Sequence, residues 1–560
     1  MKRLTVLMAL FTIILFVFMW GCEKEVEKIV TPEPVIKITS LTATPDSVGV
    51  GKRATLIVVA TTKEADTLIY RWEALEGTFT DPENDTTEWI APDKVGLFDI
   101  TVHVTDMKEN AVVKSILVGV ETYVPSATPY YKGAVYCAQC HDGGSGGDQY
   151  TKYVNTKHAD AWEDLMTSEH ASSYCYSCHT VGYDATIDNG GYDESEVDRL
   201  TDVQCENCHG PGSDHPTDFT SVSVSEKAEL CGSCHTGDYH PTYDDWSKSG
   251  HNFDPSTAIH GLLLTGTGPY CAKCHEGEEA MKYLSDPSAY SPPQSLPAAE
   301  ELLPLVCATC HDPHDATNEH QLRTVADITL VDNAGETPVI TSGGAGKLCM
   351  QCHHARRSAT SPDQINEGYA HFGPHENPQT DMLFGESGYE LVDTTFIFRS
   401  SGHNKIEETC VKCHMNMIPY TGAAAVTGHE FEPTPEACAE CHGSITAFTD
   451  IIAKDDYDGN GVVEPVMVEV DSLLAKLKRA VIENSKSAAA RDSLLASFSM
   501  VGDTTISTLD QRKAAYNWFF VNSDGSHGVH NPVYAIQLLQ QSYELITGSP
   551  VPGAVILKEK

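Results

Sequence analysis

The pattern Cys-x-x-Cys-His occurs nine times in this chain and uses 18 of its 19 cysteines. Two thiols at this spacing attach a haem covalently, and the histidine that follows ligates the iron. The cysteine pairs are Cys137/Cys140, Cys175/Cys178, Cys205/Cys208, Cys231/Cys234, Cys271/Cys274, Cys307/Cys310, Cys349/Cys352, Cys410/Cys413 and Cys438/Cys441. The motif histidines are His141, His179, His209, His235, His275, His311, His353, His414 and His442. The sequence therefore predicts nine c-type haems, each with one iron ligand from its own motif.

Other uses of the cysteines fit this pattern poorly. Structural zinc takes two Cys-x-x-Cys pairs per ion, or one pair with distant histidines, and an odd number of pairs does not divide that way. Disulfides and redox dithiols do not require the histidine. Haem attachment is the interpretation that accounts for every motif.

The sixth iron ligand decides between electron transfer and catalysis. An iron with two strong ligands suits electron transfer, whereas a substrate needs an open position. Removal of the nine motif histidines and His103 from the total of 25 leaves 15, so two histidines for every iron are available. The eight strongest candidates for distal ligands are His158, His170, His215, His251, His314, His403, His429 and His530.

The remaining histidines are less clear from spacing. Three stay open as ligands: His240, His371 and His375. Four are expected at the surface: His260, His320, His354 and His527. His103 alternates with Val102 and Val104 and is expected to face solvent on a strand. Met415 and Met417 follow the eighth motif and are alternative sixth ligands. Spacing does not tell which haem a distal histidine serves.

One segment near the C-terminal end resembles a calcium loop. Residues 456–464 match the first nine positions of an EF-hand loop, but the twelfth position is Met467 where a bidentate Glu is needed. We therefore predict a weaker calcium site at Asp456, Asp458, Asn460 and Glu464. The alternative is an Asp/Gly turn that leads into a helix.

The N-terminus predicts export. Residues 1–3 are Met-Lys-Arg, an apolar run follows to Trp20, and Gly21-Cys22 ends it, as in a bacterial lipoprotein signal. Cys22 is then the acylated first residue of the mature protein. The alternatives are an uncleaved anchor or an ordinary signal peptide. In each case the remainder lies outside the cytoplasm, on the outer membrane or cell surface if lipid-anchored, or otherwise periplasmic or extracellular.

Charge narrows the range of partners. The chain has 79 acidic and 37 basic residues, for a formal net charge of −42. Such a surface repels nucleic acid and favours cationic partners and metal ions. We expect as partners other redox proteins or cytochromes, or a mineral acceptor, with further copies of this chain in a homopolymer as an additional option.

The 560 residues divide by pattern into several regions. We predict a multidomain chain: an all-β immunoglobulin-like sandwich, then a haem-packed cytochrome region of short helices and long loops, then C-terminal α-helices. The expected bounds are 1–22 for the signal, 23–34 for a tether, 35–122 for the sandwich, 125–445 for the haem region and 446–560 for the helices. A Pro- and Ser-rich stretch suggests haem lobes at 125–285 and 300–445.

Three segments carry a family resemblance: Cys205–His215, Cys307–His314 and Asp524–Pro532. They resemble multihaem cytochromes of the superfamily of octahaem cytochromes, hydroxylamine oxidoreductases and ammonia-forming nitrite reductases, over residues 130–545. The resemblance implies a close-packed haem chain with parallel or crossed neighbouring rings. The nitrite reductases usually carry lysine in place of one motif histidine, whereas all nine motifs here end in histidine.

Two functions follow as expectations. The first is an electron-transfer protein of the cell envelope or surface with mostly bis-histidine haems. The alternative is a multihaem oxidoreductase that acts on a small nitrogen or sulfur oxyanion at one five-coordinate haem.

Overall fold

The computed structural model describes residues 36–63, 67–108, 110–120, 131–168, 171–184, 189–195, 197–215, 219–253, 268–298, 301–331, 335–360, 365–366, 368, 372–391, 397–398 and 400–558. The chain divides into two compact units, Met1–Ser126 and Ala127–Lys560. The second unit holds both the predicted haem region and the predicted C-terminal helices. Cys22 and the rest of the predicted signal lie outside the described residues.

The N-terminal unit is all-β, as predicted. The strands are β1 Ile36–Thr44, β2 Ser47–Val48, β3 Arg53–Thr62, β4 Leu68–Ala74, β5 Thr78–Phe79, β6 Thr86–Ile90, β7 Gly96–Asp106 and β8 Ala111–Val120. They form two four-stranded sheets with orders β1-β3-β6-β5 and β2-β8-β7-β4. The pairing is antiparallel except between β2 and β8.

One apolar core lies between these sheets. Alternate residues of β3 and β7 point inward, which is the period of two that a half-buried strand requires. Trp89 and Trp72 are buried with Leu56, Val102 and Val118. Both indole nitrogens donate to backbone carbonyls, so burial leaves neither donor unpaired. The immunoglobulin-like class of this unit stays a prediction.

The haem region has little regular structure, also as predicted. Its helices are short: Ala134–His141, Gln149–Tyr153, Ala161–Thr167, Tyr176–His179, Tyr192–Ser195, Cys205–His209, Ala228–Gly232, Thr242–Trp246, Gly268–His275, Gly277–Ser285, Cys307–Cys310, Gly346–Met350, Gln379–Phe384, Cys410–His414 and Pro435–His442. A two-stranded sheet pairs Ile328–Thr329 with Val339–Ile340. Glycines with positive φ, Gly210 and Gly443, end two of the motif helices directly after the histidine.

Helices of 9–18 residues follow the last motif: Val466–Glu483, Ala488–Ala496, Leu509–Asp524 and Pro532–Thr547. Thr508 and Gln511 form a capping box at the start of the third, and Asn531 caps the fourth. Their buried faces share one apolar core, which also includes Phe372 and Met382 from the haem region. The helices therefore brace the later haem motifs. Among the described residues, no helix has the length and apolarity needed to span a bilayer.

Candidate functional site

The motif histidines are paired with histidines from other segments. Each of the nine faces one histidine that does not belong to a motif, with ring centroids 6.0–6.4 Å apart. In motif order the pairs are His141–His215, His179–His240, His209–His314, His235–His158, His275–His375, His311–His429, His353–His251, His414–His530 and His442–His403.

This geometry fits an iron between the two rings. The separation is nearly constant, while the interplanar angle ranges from 10° for His209–His314 to 79° for His251–His353. Direct stacking would restrict the angle as well as the distance. Two metal–imidazole bonds of about 2 Å each, with half a ring on either side, add to about 6 Å and leave each ring free to rotate about its bond.

Ten of these eighteen histidines have a described hydrogen bond at Nδ1, the second ring nitrogen. A hydrogen bond at Nδ1 leaves Nε2 for the metal and fixes the ring orientation. The motif histidines with this contact, and their acceptors, are His141 with Gly146 O, His179 with Ala161 O, His209 with Ser223 O, His311 with His320 O, His353 with Gln379 Oε1 and His414 with Phe431 O. The distal ones are His375 with Asn377 Oδ1, His403 with Val529 O, His429 with Thr427 O and His530 with Asp524 Oδ1.

Burial keeps several of these rings neutral. It lowers the pKa of His235, His251 and His429 to about 4 in each case, with a smaller contribution from the facing histidine. Neutral imidazole is the form that binds a metal. His530 differs: burial acts to lower its pKa, but the Asp524 carboxylate outweighs burial and raises it.

Seven of the eight strongest distal candidates face a motif histidine in the structure. They are His158, His215, His251, His314, His403, His429 and His530. The eighth, His170, lies outside the described residues. The two remaining partners are His240 and His375, which spacing had left open. His371 and His260 also lie outside the described residues.

Other histidines have different contacts. His103 bonds Glu73 across neighbouring strands, at 2.7 Å, on the solvent side. His527 pairs with Asp471 at the surface, and His320 is exposed. His354 is half-buried rather than at the surface, because its Nδ1 turns inward against the Ala355 carbonyl, and burial lowers its pKa to about 4. Met417 is 70% exposed, and the eighth motif histidine faces His530.

Several large apolar side chains next to the motifs are exposed. Tyr174 and Tyr270 directly precede the first cysteines of the second and fifth motifs and are 85% and 71% exposed. Val135 is 73% exposed just before the first motif. Such groups cost free energy in water and suit contact with a porphyrin face. The side chains around the motifs therefore fit the haem that the cysteines would attach.

Cysteines of different motifs lie against one another. Five pairs of thiols from different motifs lie close enough to interact: Cys137 with Cys205, Cys178 with Cys234, Cys231 with Cys307, Cys274 with Cys352 and Cys349 with Cys410. Electrostatic contacts add Cys208 with Cys231, Cys310 with Cys349 and Cys413 with Cys438. Motif helices also touch, as Ala134–His141 does with Cys205–His209.

These contacts define a spatial order of the motifs. The first motif contacts the third, and the series continues through the fourth, sixth, seventh, eighth and ninth. The second motif branches from the fourth through Cys178, and the fifth branches from the seventh through Cys274. Burial raises the pKa of the Cys310 thiol to about 11, and Cys274 of the fifth motif is the buried cysteine among those described. Cys140 and Cys441, in the first and last motifs, are the exposed cysteines among those described.

The predicted calcium loop has a different set of carboxylates from the one expected. Asp456 and Asp458 converge with Glu469, not with Glu464. The Glu464 carboxylate instead accepts from the Asn460 amide. Lys476 lies 2.9 Å from the buried Asp458 carboxylate and supplies positive charge there. Calcium binding at Asp456, Asp458, Asn460 and Glu464 stays a prediction.

Comparisons with known proteins agree with this chemistry. A family model described as cytochrome c554 and c-prime matches residues 136–210, and one described as cytochrome c552 matches residues 389–550. The cytochrome c nitrite reductase subunit NrfA of Nitratidesulfovibrio vulgaris is 23% identical over 42% of this chain and 50% of its own. The C-type polyheme cytochrome OmcB of Geobacter sulfurreducens is 26% identical over 32% of this chain and 25% of its own.

Among solved structures, the outer cell wall cytochrome OcwA aligns with 67% of this chain and 76% of its own, at 20% identity and a TM-score of 0.43. The chain spans half or less of the length of the two curated relatives. The two family matches and the repeated motif identify the chain as a multihaem c-type cytochrome, with covalently bound haem iron.

Proposed function

We propose that this protein conducts electrons along nine covalently bound haems, each iron held by two histidines. The observation that carries the proposal is the set of nine histidine pairs, with ring centroids 6.0–6.4 Å apart. Iron with two imidazole ligands exchanges an electron with little change in coordination, and it offers a substrate no open position.

The contacts between motifs support a continuous path. Electron transfer between haems falls steeply with the distance between ring edges, and the thioether bonds tie each ring edge to its cysteines. Cysteines that touch therefore bring the ring edges they carry close together. The path runs from the first motif through the third, fourth, sixth, seventh and eighth to the ninth, with the second and fifth as branches.

The ends of that path are the points of exchange with partners. Cys140 and Cys441 are exposed and belong to the two terminal motifs of the path. An electron can therefore enter at one end and leave at the other. The net charge of −42 favours partners with a cationic contact surface, such as another cytochrome, or a mineral with bound cations. End-to-end contact between copies of this chain would extend the same path.

The N-terminal segment supports a location outside the cytoplasm. The basic start, the apolar run and Gly21-Cys22 favour export and lipid attachment at Cys22, with residues 23–34 as the tether that follows. Covalent c-type haem is consistent with a location outside the cytoplasm.

Low-temperature EPR of the oxidised holoprotein, normalised to haem content, tests the proposal. Mass spectrometry first establishes how many haems are attached. We expect nine haems per chain and low-spin signals that account for all of them. A high-spin signal that integrates to one haem in nine would overturn the conduit and favour the oxidoreductase, because that iron would lack its second histidine.

A further inference from the structure

His530, the distal ligand of the eighth haem, is hydrogen-bonded to a buried carboxylate. His530 Nδ1 lies 2.6 Å from Asp524 Oδ1, and the Asp524 side chain is 1% exposed. Ser526 donates from both its hydroxyl and its backbone N–H to the other oxygen of that carboxylate. Asp524 is therefore held in place by contacts that do not depend on the histidine.

The Asp524 carboxylate is negatively charged, unlike the groups that accept from Nδ1 of the motif histidines. The acceptors at Nδ1 of His141, His179 and His414 are backbone carbonyls, which are neutral. A carboxylate attracts the Nδ1 proton more strongly and makes the imidazole a better electron donor to its metal. A stronger donor stabilises ferric over ferrous iron, and so it lowers the reduction potential of that haem.

A half-buried positive charge, the Arg356 guanidinium, lies beside cysteines of the fifth and seventh motifs. Arg356 Nη2 is 3.1 Å from Cys274 Sγ, and the guanidinium also acts electrostatically on Cys352 of the seventh motif. Its Nε is buried without a hydrogen-bond partner among the described residues. Positive charge at this position favours ferrous iron, which carries one positive charge less than ferric iron.

The two charges flank adjacent haems. Cys349 of the seventh motif lies close to Cys410 of the eighth, and the helices Gly346–Met350 and Cys410–His414 are in contact. Gln379 links the two ligand systems, because its Oε1 is 3.4 Å from Nδ1 of His353 and its Nε2 donates to the Asp524 carbonyl. Arg356 and Asp524 therefore act on opposite sides of one link in the path.

We propose that Asp524 and Arg356 set a step in reduction potential between the eighth and seventh haems, with the eighth the more reducing. The proposal rests on the electron-conduit function and adds a direction to it. An electron on the eighth haem is driven toward the seventh and its branch, the fifth. Transfer in the opposite sense is uphill at this link.

Redox titration of the holoprotein, followed by EPR, tests the negative side of the step. We expect Asp524→Asn to move the midpoint potential of one low-spin haem to a more positive value and to shift the g-values of that haem alone. Asp471→Asn is the matched control, because Asp471 also pairs with a histidine Nδ1, that of His527, but His527 faces no motif histidine. Unchanged potentials in Asp524→Asn, with all haems attached, would overturn the proposal.

The positive charge of Arg356 is tested with a separate variant. We expect Arg356→Met to move the potential of the seventh haem to a more negative value, because Arg356 lies beside Cys352 of that motif. Arg491→Met removes a surface arginine and should change none. If the Asp524→Asn protein does not accumulate with a full set of haems, the titration of Arg356→Met decides the proposal. Unchanged potentials in Arg356→Met would then overturn it. High-spin iron in the unmodified protein would instead contradict the conduit function, so the two failures are distinguishable.

Discussion

His353 and His251 face each other with ring centroids 6.2 Å apart, although the fifth and sixth motifs lie between them in the sequence. His141 pairs in the same way with His215, which follows the third motif. Each such pair would be joined through one iron. Iron ligation would therefore cross-link segments that are distant in the chain, and this explains how a region with short helices and long connections has one defined structure.

The assignment of distal ligands predicts how the loss of one histidine changes the spin state of one haem. We expect His375→Ala to convert one haem of nine to high spin, because His375 is the ring that faces His275. The readouts are the high-spin EPR signal and binding of an exogenous ligand to the ferric protein.

His354→Ala is the control for that variant. His354 lies on the same side of the molecule, near Arg356, but its Nδ1 contacts the Ala355 carbonyl and the structure gives it no motif histidine as partner. Its loss should leave every haem low-spin. A fully low-spin His375→Ala protein would contradict the assignment.

The branched order of motifs predicts unequal effects of losing a haem. Substitution of Cys307 and Cys310 by serine removes the haem of the sixth motif, which lies on the path between the fourth and seventh. We expect conductance through single molecules to fall to a small fraction of its original value.

The second motif is the matched comparison. Substitution of Cys175 and Cys178 removes a haem that branches from the path at the fourth motif. Conductance should stay close to that of the unmodified protein. Equal loss in the two variants would show that the path runs in a different order.

Asp381 predicts a pH dependence of stability. Burial raises its pKa to about 6, against an ordinary value of about 3.9. A raised folded-state pKa contributes stability that is complete below about pH 4 and is lost as pH rises through about 6, by about 3 kcal/mol in all. Asp381→Asn removes this loss, since the Ser387 hydroxyl can accept from the new amide while the other oxygen keeps the Ala355 N–H.

Calorimetry across pH 4–7 measures this effect. The stability of Asp381→Asn relative to the unmodified protein should rise with pH over that range. A difference that is constant with pH would mean that the Asp381 carboxyl titrates normally in the folded protein.

The ion pair of Lys476 with Asp458 is expected to contribute to the stability of the folded protein. Its ammonium lies 2.9 Å from the fully buried Asp458 carboxylate. Lys476→Met leaves that charge beside Asp456 and Glu469. Because the Lys476 side chain is itself 33% exposed, we expect the loss of this partner to cost about 1–3 kcal/mol of stability. Lys478→Met is the control on the same helix, because Lys478 rests on the rings of Phe498 and Trp518, a contact worth about 1 kcal/mol.

The melting temperature of both variants, with and without Ca²⁺, measures the effect and also tests whether Ca²⁺ binds beside Asp456, Asp458 and Glu469. If Asp456, Asp458 and Glu469 hold Ca²⁺, this ion should restore the melting temperature of the Lys476→Met protein, and Mg²⁺ should not. Equal melting temperatures for the two lysine variants would show that Asp458 does not depend on Lys476.

Local chemistry and local periodicity were readable from the chain alone. The motif Cys-x-x-Cys-His brings two thiols and a ligand together within a few residues, so no tertiary information is needed to identify it. The all-β region and the C-terminal helices were predictable because apolar residues recur at the period of each element, as in β7 and Pro532–Thr547. Several distal ligands also carry local signals, since a Gly210-Pro-Gly turn precedes His215 and Ser-Gly-His-Asn occurs at both His251 and His403.

The pairing of those ligands was decided by tertiary structure. His240 carries no sequence signal that separates it from a surface histidine, and it qualifies only because the chain places it opposite His179. The same applies to the order of the motifs in space and to Asp524, whose partner His530 has its own partner in a different segment. An iron ligand is selected by the position of two rings about 6 Å apart, and that position depends on long-range chain crossings that spacing does not record.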